Sequence, residues 1–252
     1  MELREPQTVI ITGGASGIGL GTAERLVSTG LRVVLLDVRR TALEAAVAEL
    51  GDAARGIECD VMSEESVRGA FDYAAAHAPN LRGVVVSAGI QLFGSDSAIQ
   101  DLDRAVFDRT HAANVRGAVL AGKYGARALI AGDQGGSIVL IGSPTGLVGQ
   151  APDFAAYSTS KSAIFGLSRV MASSLARFRI RVNVVVPGFT ETPLVGPIID
   201  SPDAVERLVS RIPLGRAARA MDIAPMIEFL VSESSSYSTG AVFTVDGGML
   251  AV

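Results

Sequence analysis

Thr8-Val9-Ile10-Ile11 runs directly into Thr12-Gly13-Gly14-Ala15-Ser16-Gly17-Ile18-Gly19, and an amphipathic stretch to about Thr29 follows. This glycine-rich turn between a strand and a helix restricts the fold more than any other feature of the chain. Glycine lets a backbone turn tightly and brings the free N–H groups of a helix N-terminus up to an anion such as a pyrophosphate. Many glycine-rich turns are only tight turns. This one opens the first strand–helix–strand unit, the place where a dinucleotide fold needs it.

The same alternation continues to the C-terminus. Gly30 ends the first helix as a C-cap would. Arg32 to Asp37 reads as a strand, Thr41 to Leu50 as a helix and Gly56 to Cys59 as a third strand. Ser63 caps a helix that runs to about His77, and Gly83 to Val86 is a fourth strand. A single long helical region is expected from Asp101 to Ala131, then a strand at Ser137 to Ile141, a helix from Tyr157 to Phe178 and a strand at Val182 to Val186. Residues 189–213 are broken by prolines and are expected to hold one short helix. A helix near Met221 to Val231 and a strand at Ala241 to Val245 close the chain.

Strands alternating with helices imply parallel pairing through right-handed crossovers. The strands are apolar on both sides, as in a sheet covered on both faces. The expected fold class is therefore α/β: a doubly wound parallel sheet of the Rossmann type, about seven strands with helices on both faces. No repeat or linker divides residues 1–252, which read as one domain.

Composition narrows the function classes. The net charge is −4 and no basic run is present, so no nucleic acid is expected as a partner. No apolar run reaches membrane-spanning length, and the N-terminus from Met1 to Pro6 is mixed in charge and unlike a secretory signal. A cytoplasmic location is expected. The lone cysteine, Cys59, precludes an internal disulfide, and with only His77 and His111 beside it no metal site is expected.

Two residue patterns carry chemistry. Tyr157 and Lys161 are four apart on an expected helix, about one turn, so phenol and ammonium share a face. A cation about 5 Å away, at an effective dielectric near 20, favours the phenolate by roughly 3 kcal/mol, or about two pKa units. That would bring a tyrosine into range as a general acid and base. Asp37 ends the second strand, eighteen residues after Gly19. A carboxylate there can accept hydrogen bonds from ribose hydroxyls and repel a 2′-phosphate, which favours NAD over NADP. Arg39 and Arg40 could still reach a phosphate, and Asp37 could merely cap a turn.

With these patterns in place, the chain resembles the short-chain dehydrogenase/reductase family along nearly its whole length. Thr12 to Gly19 looks like the family's TGxxxGIG turn, in which Gly13, Ser16, Gly17, Ile18 and Gly19 would bind the cofactor. Cys59-Asp60-Val61 resembles its adenine-contacting segment, with Asp60 as the side chain involved. Asn114-Val115-Arg116-Gly117 looks like its asparagine motif. Ser143 stands fourteen residues before Tyr157, as the family's catalytic serine does. Pro187-Gly188 with Thr190 and Thr192 resembles the segment that holds the nicotinamide carboxamide, and Gly240 to Gly248 its last strand. The family's NNAG reads Val86-Ser87-Ala88-Gly89 here, with Ala88 and Gly89 expected beside the cofactor.

The resemblance implies hydride transfer between NAD and a secondary alcohol. Tyr157 would exchange the hydroxyl proton, and Lys161 would lower the tyrosine pKa and hold the nicotinamide ribose. Ser143 would bind the substrate oxygen, and Asn114 would support a water that relays protons. The substrate pocket would draw on Gln91, Phe93, Thr145, Gln150 and Phe154 beneath a lid at 189–213. No lysine or arginine occurs from Pro187 through Glu206, which points to a neutral small molecule such as a polyol, sugar or cyclic alcohol. Two alternatives stay open: an NADPH-dependent 3-oxoacyl-(acyl carrier protein) reductase, and a non-catalytic NAD-sensing protein. The resemblance also implies a homotetramer or dimer, and Ala163, Gly166, Val170 and Ala172 would suit close helix packing.

Overall fold

The computed structural model describes residues 6–78 and 80–251, so all but one residue of the N-terminal reading above lies outside them. Seven strands form one parallel sheet: β1 (Thr8–Thr12), β2 (Arg32–Asp37), β3 (Ala54–Glu58), β4 (Leu81–Val86), β5 (Gly136–Ile141), β6 (Ile180–Pro187) and β7 (Val242–Val245). Their spatial order is β3-β2-β1-β4-β5-β6-β7. The order reverses at β1, which pairs with β2 on one side and β4 on the other. The chain leaves β1 and β4 in opposite lateral directions, and their C-terminal ends splay around a crevice.

Alternate residues of β1 explain the two layers. Val9 and Ile11 face a core shared with Ala23 and Leu26 of α1 (Gly17–Ser28), Leu43 of α2 (Arg40–Leu50) and Ile223 of α9 (Ala220–Val231). Ile10 faces the opposite core, with Phe71 of α3 (Glu64–His77), Leu129 of α5 (Gly117–Gly132) and Ile164 of α6 (Ala155–Leu175). All these side chains are buried, which accounts for the largely apolar character of the central strands.

Several elements differ from the sequence expectation; β4, β6 and α6, for instance, each begin two residues early, at Leu81, Ile180 and Ala155. The helical region expected from Asp101 to Ala131 is α4 (Arg104–His111) and α5 joined by one π-helical turn over Ala112–Arg116. β3 starts two residues earlier than expected; it is an edge strand whose residues are mostly exposed, so burial gives it no clear pattern. Residues 189–213 hold two short helices, α7 (Gly196–Ile199) and α8 (Pro202–Val209), where one was expected. Pro197 and Pro202 sit in first turns, where the missing N–H costs nothing, so they begin helices instead of breaking them. α7 and α8 rest on a separate small core of Phe189, Ile212 and Met249.

Candidate active site

A cavity of about 580 Å³ opens along the C-terminal edge of the sheet. One end lies against the glycine-rich turn. Gly13 has φ +67°, and a Cβ there would lie 2.8 Å from the Ala88 Cα, so only glycine lets β1 and β4 approach so closely. Gly19 does not line the cavity; a Cβ on it would lie 2.1 Å from the Gly13 carbonyl oxygen, and its absence lets α1 dock under the turn. Ser16, the N-cap of α1, makes no side-chain bond to the first N–H groups of the helix. Those donors are left for an anion. Gly13, Ser16, Gly17 and Ile18 all line the cavity.

Asp37 is buried at the end of β2 and also lines the cavity. Its carboxylate already accepts from Ala15 N (3.2 Å), Arg39 N (3.0 Å) and the Arg39 guanidinium, whose Nε is 3.1 Å away. Arg39 Nη2 donates onward to Ser16 Oγ at 2.7 Å. The expected ribose acceptor is therefore covered by a half-exposed arginine, which ribose hydroxyls would have to displace. Asp60 lines the same end and accepts from Met62 N at 2.8 Å, with Val61 beside it. Ala88 and Gly89 complete this wall, and Ser87 N and Ala88 N donate to the Thr12 hydroxyl at 3.2 and 3.3 Å.

At the other end Ser143, Tyr157 and Lys161 converge on the cavity, each less than a tenth exposed. Lys161 Nζ donates to the Ile141 carbonyl at 3.0 Å and lies 5.7 Å from the centre of the Tyr157 ring. Burial pushes the Tyr157 phenol up to about 12, while its hydrogen bond with Ser143 acts the other way. Burial also draws Lys161 down to about 8. The expected lowering of the tyrosine is thus opposed by burial, which disfavours the phenolate and the ammonium alike. Thr145 bonds Ser143, the two hydroxyl oxygens being 3.1 Å apart.

Asn114 lies behind this group and does not line the cavity. The π-helical turn carries its amide across to Ile90, where Oδ1 accepts from Ile90 N (2.7 Å) and Nδ2 donates to Ile90 O (2.9 Å). Nδ2 also donates to Ser160 Oγ at 3.0 Å. Both N–H donors are therefore occupied, and the side chain has none free for a water.

Pro187, Gly188, Thr190 and Thr192 follow β6 along one wall, and Gln91, Gln150 and Phe154 stand near Tyr157. Phe93 does not line the cavity; it supports Phe154 edge-on, with ring centroids 5.4 Å apart. Three further residues bear on the site. Arg211, just beyond α8, and Met249 line the cavity. The inference of a neutral substrate rested on the absence of cations from 187 to 206; that absence stands, but Arg211 supplies one from outside the range. Asp96 is the third. Its buried carboxylate accepts from Ala156 N (3.0 Å) and Tyr157 N (2.9 Å) and so caps α6 from a distant loop. No local capping motif announces it.

A family model described as enoyl-(acyl carrier protein) reductase matches residues 13–250. A solved structure of a short-chain type dehydrogenase/reductase from Mycobacterium ulcerans superposes with a TM-score of 0.91 at 34% identity, over 97% of this chain and 90% of that one. The chain belongs to the short-chain dehydrogenase/reductase family. It is 37% identical to 2-(S)-hydroxypropyl-CoM dehydrogenase 3 of Xanthobacter autotrophicus over 98% of this chain and 97% of the relative. The same identity and coverage relate it to cis-4-hydroxycyclohexanecarboxylate dehydrogenase of Sinomonas cyclohexanicum. It is accordingly an oxidoreductase of CH–OH groups that uses a nicotinamide cofactor. The turn at Gly13, the uncapped start of α1 and a cavity lined from Gly13 and Asp37 to Tyr157 and Lys161 fit such a cofactor. Among the described residues no helix is long and apolar enough to cross a membrane.

Proposed function

We propose that this protein interconverts a small secondary alcohol and its ketone, with NAD preferred over NADP. The observation that carries the reading is the placement of Ser143, Tyr157 and Lys161 at one end of a cavity whose other end holds the glycine-rich turn and Asp37. Residues 1–252 act as a single dinucleotide-binding domain that carries its own catalytic groups, with 189–213 as the substrate lid.

The cofactor, when bound, supplies the hydride chemistry. Gly13, Ser16, Gly17 and Ile18 would hold its pyrophosphate, Asp37 its adenosine ribose, and Asp60 and Val61 its adenine. Ala88, Gly89, Pro187, Gly188, Thr190 and Thr192 would line its nicotinamide half. NAD preference follows from Asp37. A 2′-phosphate would meet a buried carboxylate and an arginine already tied to it, whereas ribose hydroxyls can take over the acceptor sites that Arg39 now fills.

Tyr157 donates its proton to the carbonyl oxygen in reduction and accepts the hydroxyl proton in oxidation. With its pKa raised by burial, the phenol is neutral at physiological pH, the state that suits donation. Ser143 hydrogen-bonds the same substrate oxygen and stabilises the charge that develops there. Lys161, held by the Ile141 carbonyl, presents its charge to Tyr157 and to the nicotinamide ribose. Asn114 acts at one remove: it fixes Ile90 and Ser160, so that a water held by the Ile90 carbonyl can pass the proton from Lys161 to solvent.

Gln91, Thr145, Gln150 and Phe154 bound a mixed apolar and neutral polar space around the reacting carbon, with Phe93 behind Phe154. That space favours a compact cyclic or aliphatic alcohol over a multiply charged one. The test follows nicotinamide absorbance with NAD or NADP over a panel of secondary alcohols, sugars and acyl thioesters. NAD-linked oxidation of a small alcohol is expected. NADPH-dependent reduction of an acyl thioester, with no alcohol turned over, would overturn the reading.

A further inference from the structure

We propose that Arg211 binds a single anionic group, a carboxylate or comparable monoanion, carried by the substrate away from its reacting carbon. This rests on the secondary-alcohol reading above and adds one element of substrate chemistry to it.

Three side chains lining the cavity carry positive charge: Arg39, Lys161 and Arg211. The first two are spoken for. Arg39 is bonded to Asp37 and Ser16, and Lys161 to the Ile141 carbonyl. Arg211 is exposed, and its guanidinium has no hydrogen bond or ion pair among the described residues. Asp37 and Asp60 are the carboxylates that line the cavity, and both belong to the glycine-turn end. Glu191 and Glu206 line a separate hollow on another side of α8. The lid end therefore carries an uncompensated positive charge.

The base of Arg211 is well anchored. Its N–H donates to Leu208 O (3.1 Å), Ile212 N donates to Val209 O (2.9 Å), and the Ile212 side chain is buried against Phe189 and Met249. The cavity wall beside it is apolar: Leu194, Val195, Ile198, Leu208 and Met249. An exposed guanidinium on a fixed base beside apolar surface offers forked donors that match a carboxylate at the cavity wall. One arginine matches one negative charge, which keeps the site unsuited to a multiply anionic chain.

The test compares 4-hydroxycyclohexanecarboxylate, the matching carboxamide and cyclohexanol as substrates of the whole protein with NAD and NADP. The acid should exceed the amide in kcat/KM by about ten-fold or more, the size of one charge-assisted contact, with the difference mainly in KM. Arg211→Gln should bring that ratio close to one, and Arg211→Lys should keep part of it. Arg68→Gln, an exposed α3 residue with the same change in net charge, should leave the ratio as it is. Equal kcat/KM for acid and amide in the unaltered protein, or a preference that survives Arg211→Gln, overturns the proposal while turnover of cyclohexanol keeps the secondary-alcohol reading intact. Failure to oxidise any of the three with either cofactor overturns that reading, and this inference with it.

Discussion

Replacing Asp96 by asparagine should loosen the first turn of α6 and so displace Tyr157. Asp96 spans sixty residues to reach that helix, with Oδ1 accepting from Ala156 N at 3.0 Å and Oδ2 from Tyr157 N at 2.9 Å. Oδ1 also accepts from Ser97 N at 2.9 Å. A hydrogen bond to a charged group contributes about 1.5–3 kcal/mol, and a buried donor left without an acceptor costs about 1–3 kcal/mol. Asparagine keeps one oxygen and turns an NH2 toward the other helix N–H. One charged bond is lost and one donor is stranded, so the variant should lose about 3 kcal/mol; Asp96→Ala, which loses both bonds, should lose about 5 kcal/mol. Urea titration followed by circular dichroism gives the free energies, and steady-state turnover reports on Tyr157. kcat should fall in both variants, with little change in cofactor binding, because the cofactor turn lies elsewhere. A loss below about 0.5 kcal/mol in both variants would show that the cap contributes nothing and would refute the reasoning.

Other consequences can be checked separately. Gly19→Ala places a methyl group against the Gly13 carbonyl, so calorimetric titration should show NADH binding weakened by at least about ten-fold, about 1.4 kcal/mol; an unchanged affinity would contradict the role of that close approach. Asp37→Ser removes the carboxylate that disfavours a 2′-phosphate, and the ratio of kcat/KM for NAD over NADP should fall; an unaltered ratio counts against the cofactor assignment. Lys161, drawn down to about 8 by burial, binds its proton less readily folded than unfolded. From pH about 8 to about 10 the unfolded chain therefore holds more protons at this site, and the stability of the unaltered protein should rise relative to Lys161→Met. A flat difference across that window would exclude the buried-ammonium description. Light scattering should show more than one copy per particle, with Val170→Glu shifting it toward the monomer; Val170 is 68% exposed on α6.

Much of this architecture could be read directly from the chain because β1, β4, β5 and β6 are largely buried on both faces and so carry apolar runs such as Val84–Val86, Ile138–Ile141 and Val184–Val186. The turn from Thr12 to Gly19 was equally legible from its position between a strand and a helix, although Gly13 and Gly17 answer to contacts with Ala88 and Thr192 far along the chain. What was missed depends on partners distant in sequence. The division of the 101–131 helix turns on a side-chain reach from Asn114 to Ile90, which helical periodicity does not encode. Of the four residues expected to suit close helix packing, between copies or equally within the chain, Ala172 is buried in the chain's own core, while Val170 stays exposed. The spacing of Tyr157 and Lys161 gave their shared face but not their burial, and burial reverses the sign of the tyrosine shift. Asp96, Arg211 and Met249 enter the site from a loop, a helix end and the C-terminal segment, with no local motif to announce them.

The central claim is that Tyr157 moves the proton in a nicotinamide-linked oxidation of a secondary alcohol. Tyr157→Phe removes one hydroxyl and leaves the ring in place, so turnover of a substrate alcohol and binding of NADH can be measured on the same preparation. Turnover should fall by about 10²-fold or more, the size of a lost general acid–base contribution, with NADH affinity nearly unchanged. Turnover retained at close to the unaltered rate would contradict the account.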